Sequence, residues 1–63
     1  MKLIINGEDK ICAAGDLAGL LAELKIAPQV VVVEKNGKII PRGHKAELFE
    51  GDKLEIVRFV GGG

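Results

Sequence analysis

The chain has 63 residues, and its nine basic and nine acidic residues give a formal net charge of zero. This length allows one small domain, which buries only about 60% of the surface of its unfolded chain and so has a thin core. Balanced charge without a basic run disfavours nucleic acid as a partner. The apolar runs are far shorter than the roughly 20 residues of a membrane span, so no membrane association is expected either.

Cysteine and histidine are scarce. Cys12 is the only cysteine and His44 the only histidine, so a disulfide within the chain is excluded and no metal site is expected. The first residues reach Asn6-Gly7 too soon for a secretory signal. We therefore expect a cytoplasmic setting.

The first half of the chain predicts a hairpin followed by a helix. Residues 1–5 and 8–12 are strand-like and flank Asn6-Gly7, a pair typical of type I′ turns. Asp16 is placed to cap a helix N-terminus. Pro28 is expected to stop that helix. The helix would present one apolar face, formed by leucines at i, i+3, i+4 and i+7: Leu17, Leu20, Leu21 and Leu24.

The second half predicts another hairpin and a final strand. The β-branched run at 30–33 indicates a strand buried on both faces or nearly so. Asn36-Gly37 repeats the turn signal, and residues 38–40 return. Pro41-Arg42-Gly43 is expected to be a loop, residues 45–49 one helical turn, residues 50–52 a turn and residues 53–59 the last strand.

This order of elements predicts an α+β chain with the β-grasp fold, in which a mixed sheet of about five strands packs on one helix. The first and last strands would pair in parallel at the centre of the sheet. We expect residues 1–60 to form the domain and residues 61–63 a flexible tail.

The tail offers a chemical handle. Gly61, Gly62 and Gly63 have no Cβ, so they can pass through a narrow channel, and fully extended they span about 10 Å. A frayed end or an engineered remnant is the alternative interpretation. As a terminal residue, Gly63 would carry an ionised carboxylate, which is a poor acyl donor until adenylation by ATP gives it a good leaving group. A sulfur nucleophile would then convert it to a thiocarboxylate.

The last strand suggests a docking surface beside the tail. Alternation places Leu54 and Ile56 on the core face, and Val57 and Phe59 on the opposite face, next to Val60. An exposed apolar patch beside a reactive tail is typical of a partner-binding site. In the reversed register, Val57 and Phe59 would instead lie in the core.

Over its whole length the sequence resembles the ThiS family of sulfur carrier proteins. The resemblance rests on an ordered set of blocks: Ile5-Asn6-Gly7-Glu8, Cys12-Ala13-Ala14-Gly15, Val33-Glu34-Lys35-Asn36-Gly37, Ile40-Pro41-Arg42, Gly51-Asp52-Lys53-Leu54-Glu55-Ile56-Val57 and Phe59-Val60-Gly61-Gly62-Gly63.

The resemblance implies a β-grasp fold and a part in thiazole synthesis for thiamine. It implies that Gly63 is adenylated by a ThiF-type enzyme, receives sulfur from a donor protein and delivers it to thiazole synthase (ThiG), with Gly61 and Gly62 as the tether. The chain would then be a co-substrate and not an enzyme, with no bound cofactor, and ATP would be used by the activating enzyme. Some family members end in two glycines.

Two other functions remain open at this stage. A small subunit of molybdopterin synthase has the same fold and tail, although it tends to be longer. A ubiquitin-like modifier would form isopeptide bonds with lysines of target proteins, whereas a pure binding module would use its sheet face and would not need the tail.

Few other residues point to chemistry. No Ser/His/Asp or Cys/His set is apparent. We expect Cys12 to be a small buried hydrophobe and His44 to be exposed, in preference to a role in sulfur transfer or metal binding. Arg42 is a possible partner contact. Five charged residues are expected to form a solvated surface: Glu47, Glu50, Asp52, Lys53 and Arg58.

Overall fold

A computed structural model describes residues 1–59. Five strands and one α-helix lie within this range: β1 (Lys2–Ile5), β2 (Glu8–Ile11), α1 (Leu17–Glu23), β3 (Val31–Lys35), β4 (Lys38–Ile40) and β5 (Lys53–Arg58), with a short 3-10 turn at Pro28–Val30. The strand order is β2-β1-β5-β3-β4. β1 runs parallel to β5 and the other neighbours are antiparallel, which confirms the predicted central pair. No helix of this part of the chain is long and apolar enough to cross a membrane.

Both predicted Asn-Gly turns are confirmed. Asn6 and Gly7 have φ angles of 51° and 81°, and Asn36 and Gly37 have φ angles of 52° and 86°. Positive φ at both central positions is the requirement of a type I′ turn, and Asn and Gly tolerate it best. Each turn therefore fixes the register of its hairpin through local chemistry.

Helix α1 begins at the predicted cap. The Asp16 carboxylate accepts a hydrogen bond from the Gly19 amide at 2.8 Å. The helix ends well before Pro28, because Lys25 adopts a left-handed conformation with φ of 60°. The Ile26 amide then donates to the Leu21 carbonyl at 2.8 Å, which closes a Schellman-type cap.

The core lies between α1 and one face of the sheet. Leu3, Leu20 and Leu54 are fully buried and join the helix to the central strands. Cys12 is 3% exposed and packs in the same cluster, as predicted. The cluster is completed by other aliphatic side chains: Ile5, Leu17, Leu21, Val31, Val33, Leu48 and Ile56.

The prediction that residues 30–33 form a strand buried on both faces is wrong. Val31 and Val33 are buried, whereas Val30 and Val32 are 38% and 37% exposed. The physical reason is that α1 covers only one face of the sheet, so alternate side chains of β3, here Val32, point away from the core. Val30 lies before β3, in the 3-10 turn.

The predicted helical turn at residues 45–49 is also wrong. The backbones of Glu47 and Asp16 form an isolated antiparallel β-bridge. The Leu17 amide donates to the Ala46 carbonyl at 2.9 Å, and the Leu48 amide donates to the Gly15 carbonyl at 3.0 Å. The segment is extended because these bonds pair it with residues 15–17. As a result burial alternates along it, with Leu48 buried between exposed neighbours.

Candidate functional site

The central strand β5 carries the predicted site. It has neighbours on both edges, β1 and β3, and the chain continues from its end towards the glycines. Leu54 and Ile56 are 1% and 9% exposed, whereas Val57 and Phe59 are 57% and 40% exposed. The predicted assignment of faces is therefore confirmed, and the reversed register is wrong.

Val57 and Phe59 belong to a larger apolar surface on the open face of the sheet. Val57 lies directly opposite Val32 of β3. Ile39 of β4, which is 64% exposed, lies diagonally across from Val32, because it pairs with Glu34 two residues along. We call Val32, Ile39, Val57 and Phe59 the tail-end patch.

Sequence reasoning missed two members of the tail-end patch, Val32 and Ile39. A usable signal was present, because one short helix cannot cover both faces of a five-stranded sheet. Every second side chain of a central strand such as β3 must then face away from the helix. Applied to the valine run, this rule predicts that either Val32 or its neighbours Val31 and Val33 are exposed, and the structure shows that it is Val32.

Arg42 covers the edge of the tail-end patch. Its guanidinium carbon lies 5.7 Å from the centroid of the Phe59 ring, within the range of a cation–π interaction. The turn that carries Arg42 is closed by a hydrogen bond from the His44 amide to the Pro41 carbonyl at 3.1 Å. The Phe59 amide donates to the Val30 carbonyl at 3.0 Å. The last described residue before the tail is thus held through both its backbone and its ring.

Asn6 fixes β5 from the other edge. Its side-chain oxygen accepts from the Ile56 amide at 2.8 Å, and its side-chain nitrogen donates to the Ile56 carbonyl at 3.2 Å. The turn residue that sets the first hairpin therefore also holds the strand that carries the site.

A polar network holds the start of β5. The Asn36 side-chain oxygen accepts from the Lys53 amide at 2.9 Å, and its nitrogen donates to the Asp52 carboxylate at 3.0 Å. Asp52 also accepts from the Phe49 amide at 2.9 Å and lies 3.8 Å from the Lys35 ammonium. We call these five residues the polar network.

Asp52 corrects one prediction, because it was expected on the solvated surface and is only 9% exposed. The hydrogen bond from Asn36 lowers the pKa of Asp52 below its ordinary value of 3.8. The Phe49 amide and the Lys35 charge act in the same direction, and burial opposes them. Glu47, Glu50, Lys53 and Arg58 are exposed as expected.

The other predicted site residues divide between two parts of the chain. His44 is exposed, as predicted. Val60 and the glycines Gly61, Gly62 and Gly63 lie outside the described residues, so their predicted roles as contact, tether and reacting residue stay predictions. Among residues 1–59, no group of three or more His, Cys, Asp or Glu side chains is placed to hold a metal ion.

Comparison with protein families gives a match to the ThiS family model over residues 3–63. The chain is 42% identical to the sulfur carrier protein ThiS of Bacillus subtilis, over 97% of this chain and 98% of that protein. It is also 46% identical to part of a thiazole synthase of Paramagnetospirillum magneticum. That alignment covers all of this chain but only 20% of the synthase, so this chain spans about a fifth of that relative's length.

Solved structures agree with the sequence relatives. The crystal structure of the thiamine biosynthesis protein ThiS from Geobacter metallireducens matches with a TM-score of 0.71 and 32% identity, and the match covers both chains completely. This likeness confirms the predicted β-grasp fold. Together with the family match over nearly the whole sequence, it shows that the chain belongs to the ThiS family.

Proposed function

We propose that this chain is the sulfur carrier for thiazole synthesis in thiamine biosynthesis, and that the carboxylate of Gly63 carries the sulfur. The observation that carries the proposal is the family match, which extends over residues 3–63 and so includes the three glycines. The Bacillus subtilis relative, a sulfur carrier protein by name, aligns over almost its full length.

The chemistry requires two steps at one carbon. The Gly63 carboxylate attacks the α-phosphate of ATP, so pyrophosphate leaves and an acyl adenylate forms. The terminal sulfur of a persulfide on a donor protein then forms a C–S bond at this carbon and displaces AMP. A thiol next cleaves the S–S bond of the resulting acyl disulfide, which leaves the thiocarboxylate on Gly63 and a disulfide between the two thiols. The activating enzyme supplies the catalytic groups, and this chain acts as a co-substrate in the cytoplasm.

The described residues would place that carbon in a partner's active site. β5 is held on both edges by β1 and β3, and at its start by the polar network, so the tail begins from a fixed point. The tail-end patch lies beside that point and exposes apolar side chains of the kind that anchor protein interfaces. Because the strand before the tail is already held in place, less conformational entropy is lost when the glycines enter a channel of the partner.

Thiazole synthase is the proposed acceptor. In the Paramagnetospirillum magneticum relative, a segment similar to this whole chain forms a fifth of a protein named thiazole synthase. Carrying both parts in one polypeptide favours their contact through a high effective concentration. We propose that this chain makes the same contact with a thiazole synthase.

Intact-mass measurement tests the proposal. The chain is incubated with a ThiF-type enzyme, ATP and a sulfur donor system, and we expect a gain of about 16 Da, the difference between sulfur and oxygen. A variant lacking Gly63 is the control and should show no gain. An unchanged mass, under conditions that load the Bacillus subtilis protein, would contradict the proposal.

A growth assay tests the pathway. Deletion of the gene should create a requirement that thiamine satisfies, and the chain lacking Gly63 should fail to complement it. A growth defect that thiamine does not relieve would point to another sulfur pathway.

A further inference from the structure

A groove of about 440 Å³ opens beside the free edge of β4, between α1 and the turn that follows β4. This volume lies within the range of about 300–1,000 Å³ that is typical of binding pockets. Apolar side chains from the helix and the sheet line it: Leu17, Leu21, Val31, Val33 and Ile40. The groove is thus a concave apolar surface outside the tail-end patch.

The rim of this β4 groove carries an excess of positive charge. Arg42 and Lys45 line it, and neither forms an ion pair with a carboxylate among residues 1–59. The acidic member of the rim is Asp16, whose carboxylate already accepts from the Gly19 amide as the helix cap. An occupant with carboxylates next to apolar side chains would match both the rim and the floor.

The backbone of β4 suits an extended occupant. Lys35 and Lys38 close the two-residue hairpin as a hydrogen-bonded pair, and such pairs alternate along an antiparallel ladder. The peptide groups of Ile39 therefore point away from β3, towards the free edge. A segment in extended conformation could pair with them, as in strand addition to a sheet edge.

The groove favours a protein segment over a small polar ligand. Every buried side-chain nitrogen or oxygen in the described part of the chain has a hydrogen-bond partner, so no buried polar group is left to orient such a ligand. In addition, Val32 and Ile39 line the groove as well as belonging to the tail-end patch. The two surfaces are continuous around the edge of β4.

We propose that the β4 groove binds an extended segment of thiazole synthase that carries apolar side chains and at least one carboxylate. This inference rests on the proposed function, because it assumes that thiazole synthase docks on the tail-end patch. The segment would then reach the groove around β4 and add a second, charge-dependent contact to the same complex.

Two exposed alanines of α1 provide a matched test. Ala18 lines the groove and Ala22, one turn later, does not. In A18E a carboxylate would face the acidic segment, and we expect about tenfold weaker binding of purified thiazole synthase by calorimetry. A22E makes the same change outside the groove and should bind within about twofold of wild type. The difference should shrink as salt is raised, because screening weakens exposed charge repulsion.

A second pair checks the rim. K45E reverses a charge on the rim and should weaken the binding of thiazole synthase several-fold. K38E reverses a charge that does not line the groove and should leave the affinity unchanged. Circular dichroism melting of each variant separates lost binding from lost folding.

Several results would overturn the proposal. A18E could bind thiazole synthase as tightly as A22E, or could lose affinity only for the adenylating enzyme. Sedimentation could show that A18E disrupts a dimer, which would assign the groove to a second copy. Octanoate could bind in the groove without lowering the affinity of the chain for thiazole synthase, which would assign the groove to a small apolar acid. Wild-type chain that neither binds the synthase nor gains sulfur would overturn the proposed function as well.

Discussion

The two ends of β5 differ in the side chains that surround them. At its start, Asn36 and Asp52 bond to each other and to backbone amides, and Lys35 adds a charge. At its end, the strand leaves apolar side chains exposed in the tail-end patch, and the Phe59 amide is held by the Val30 carbonyl. Side-chain hydrogen bonds and a charge therefore surround the start of β5, whereas uncovered apolar surface surrounds its end.

The difference indicates that the start of β5 stabilises the fold and that its end binds a partner. Buried polar groups stabilise a fold only when their partners are present, so the start of β5 should be sensitive to substitution. Exposed apolar groups contribute little to the free energy of unfolding of the free chain, but they contribute to binding once a partner covers them. We expect substitutions at the start to change stability and substitutions at the end to change affinity.

The largest effect is expected from Asn36→Ala. The change places alanine at φ of 52° and removes the side-chain bonds to Asp52 and Lys53. Together these losses should lower the free energy of unfolding by about 2–3 kcal/mol. Urea denaturation measures it.

Asn36→Gly is the matched control for this prediction. Glycine accepts the positive φ angle but has no side chain, so it should lose only the hydrogen-bond part, roughly 1–2 kcal/mol. Equal stability of the alanine and glycine variants would show that backbone conformation does not contribute.

The next largest effect is expected in the tail-end patch. The double variant V32T/V57T keeps β-branched residues on both strands but replaces a methyl of each by a hydroxyl. We expect roughly 30-fold weaker binding of thiazole synthase, or about 2 kcal/mol. The free energy of unfolding should change by less than about 1 kcal/mol, because both side chains are exposed.

Ile11→Thr is the control for the double variant. Ile11 is 79% exposed on the edge strand β2, far from the tail-end patch in the strand order. Its substitution should leave affinity unchanged. An equal loss of affinity in Ile11→Thr would contradict a localised docking surface.

A smaller effect is expected from pH. The folded-state pKa of Asp52 lies below its ordinary value of 3.8, chiefly because Asn36 donates to the carboxylate. The stability that this adds is present above pH 3.8 and is lost as pH falls below it through the folded-state pKa. Asp52→Asn should therefore flatten the acid limb of the stability curve and cost roughly 1 kcal/mol at neutral pH. Unfolding in urea at several pH values between 2 and 7 would test this, and an unchanged acid limb would contradict it.

The smallest effect is expected from Arg42→Gln. Loss of the guanidinium over the Phe59 ring should cost about 0.5–1 kcal/mol at an exposed site, which is roughly a two- to fivefold change. We expect it in the affinity for the partner, because Phe59 belongs to the tail-end patch. Arg42→Lys should recover part of it. If Arg42→Gln weakens binding equally in a Phe59→Leu background, the whole effect comes from the position of Arg42 on the rim of the β4 groove and none of it from the ring.

The sequence predicted most of the sheet because its signals were local. Asn6-Gly7 and Asn36-Gly37 specify their turns through backbone conformation, and Asp16 specifies the helix start through one hydrogen bond. The faces of β5 followed from alternation alone. In each case the information lies within a few neighbouring residues.

The errors arose where distant residues decide the structure. The extended form of residues 46–48 depends on pairing with residues 15–17, which lie about thirty positions earlier in the chain. The burial of Asp52 depends on Asn36, and the exposure of Val32 depends on which face α1 covers. Such contacts cannot be read from a short window of sequence.

The central position of β5 also has a mechanical consequence. A partner that draws the tail into a channel pulls along β5, parallel to the strand axis. Because β1 and β3 flank the strand, that load acts in shear across hydrogen bonds on both edges at once. Bonds loaded together resist more force than bonds that open one after another from an end. The β-grasp domain can thus serve as an anchor that stays folded while its tail is held under tension.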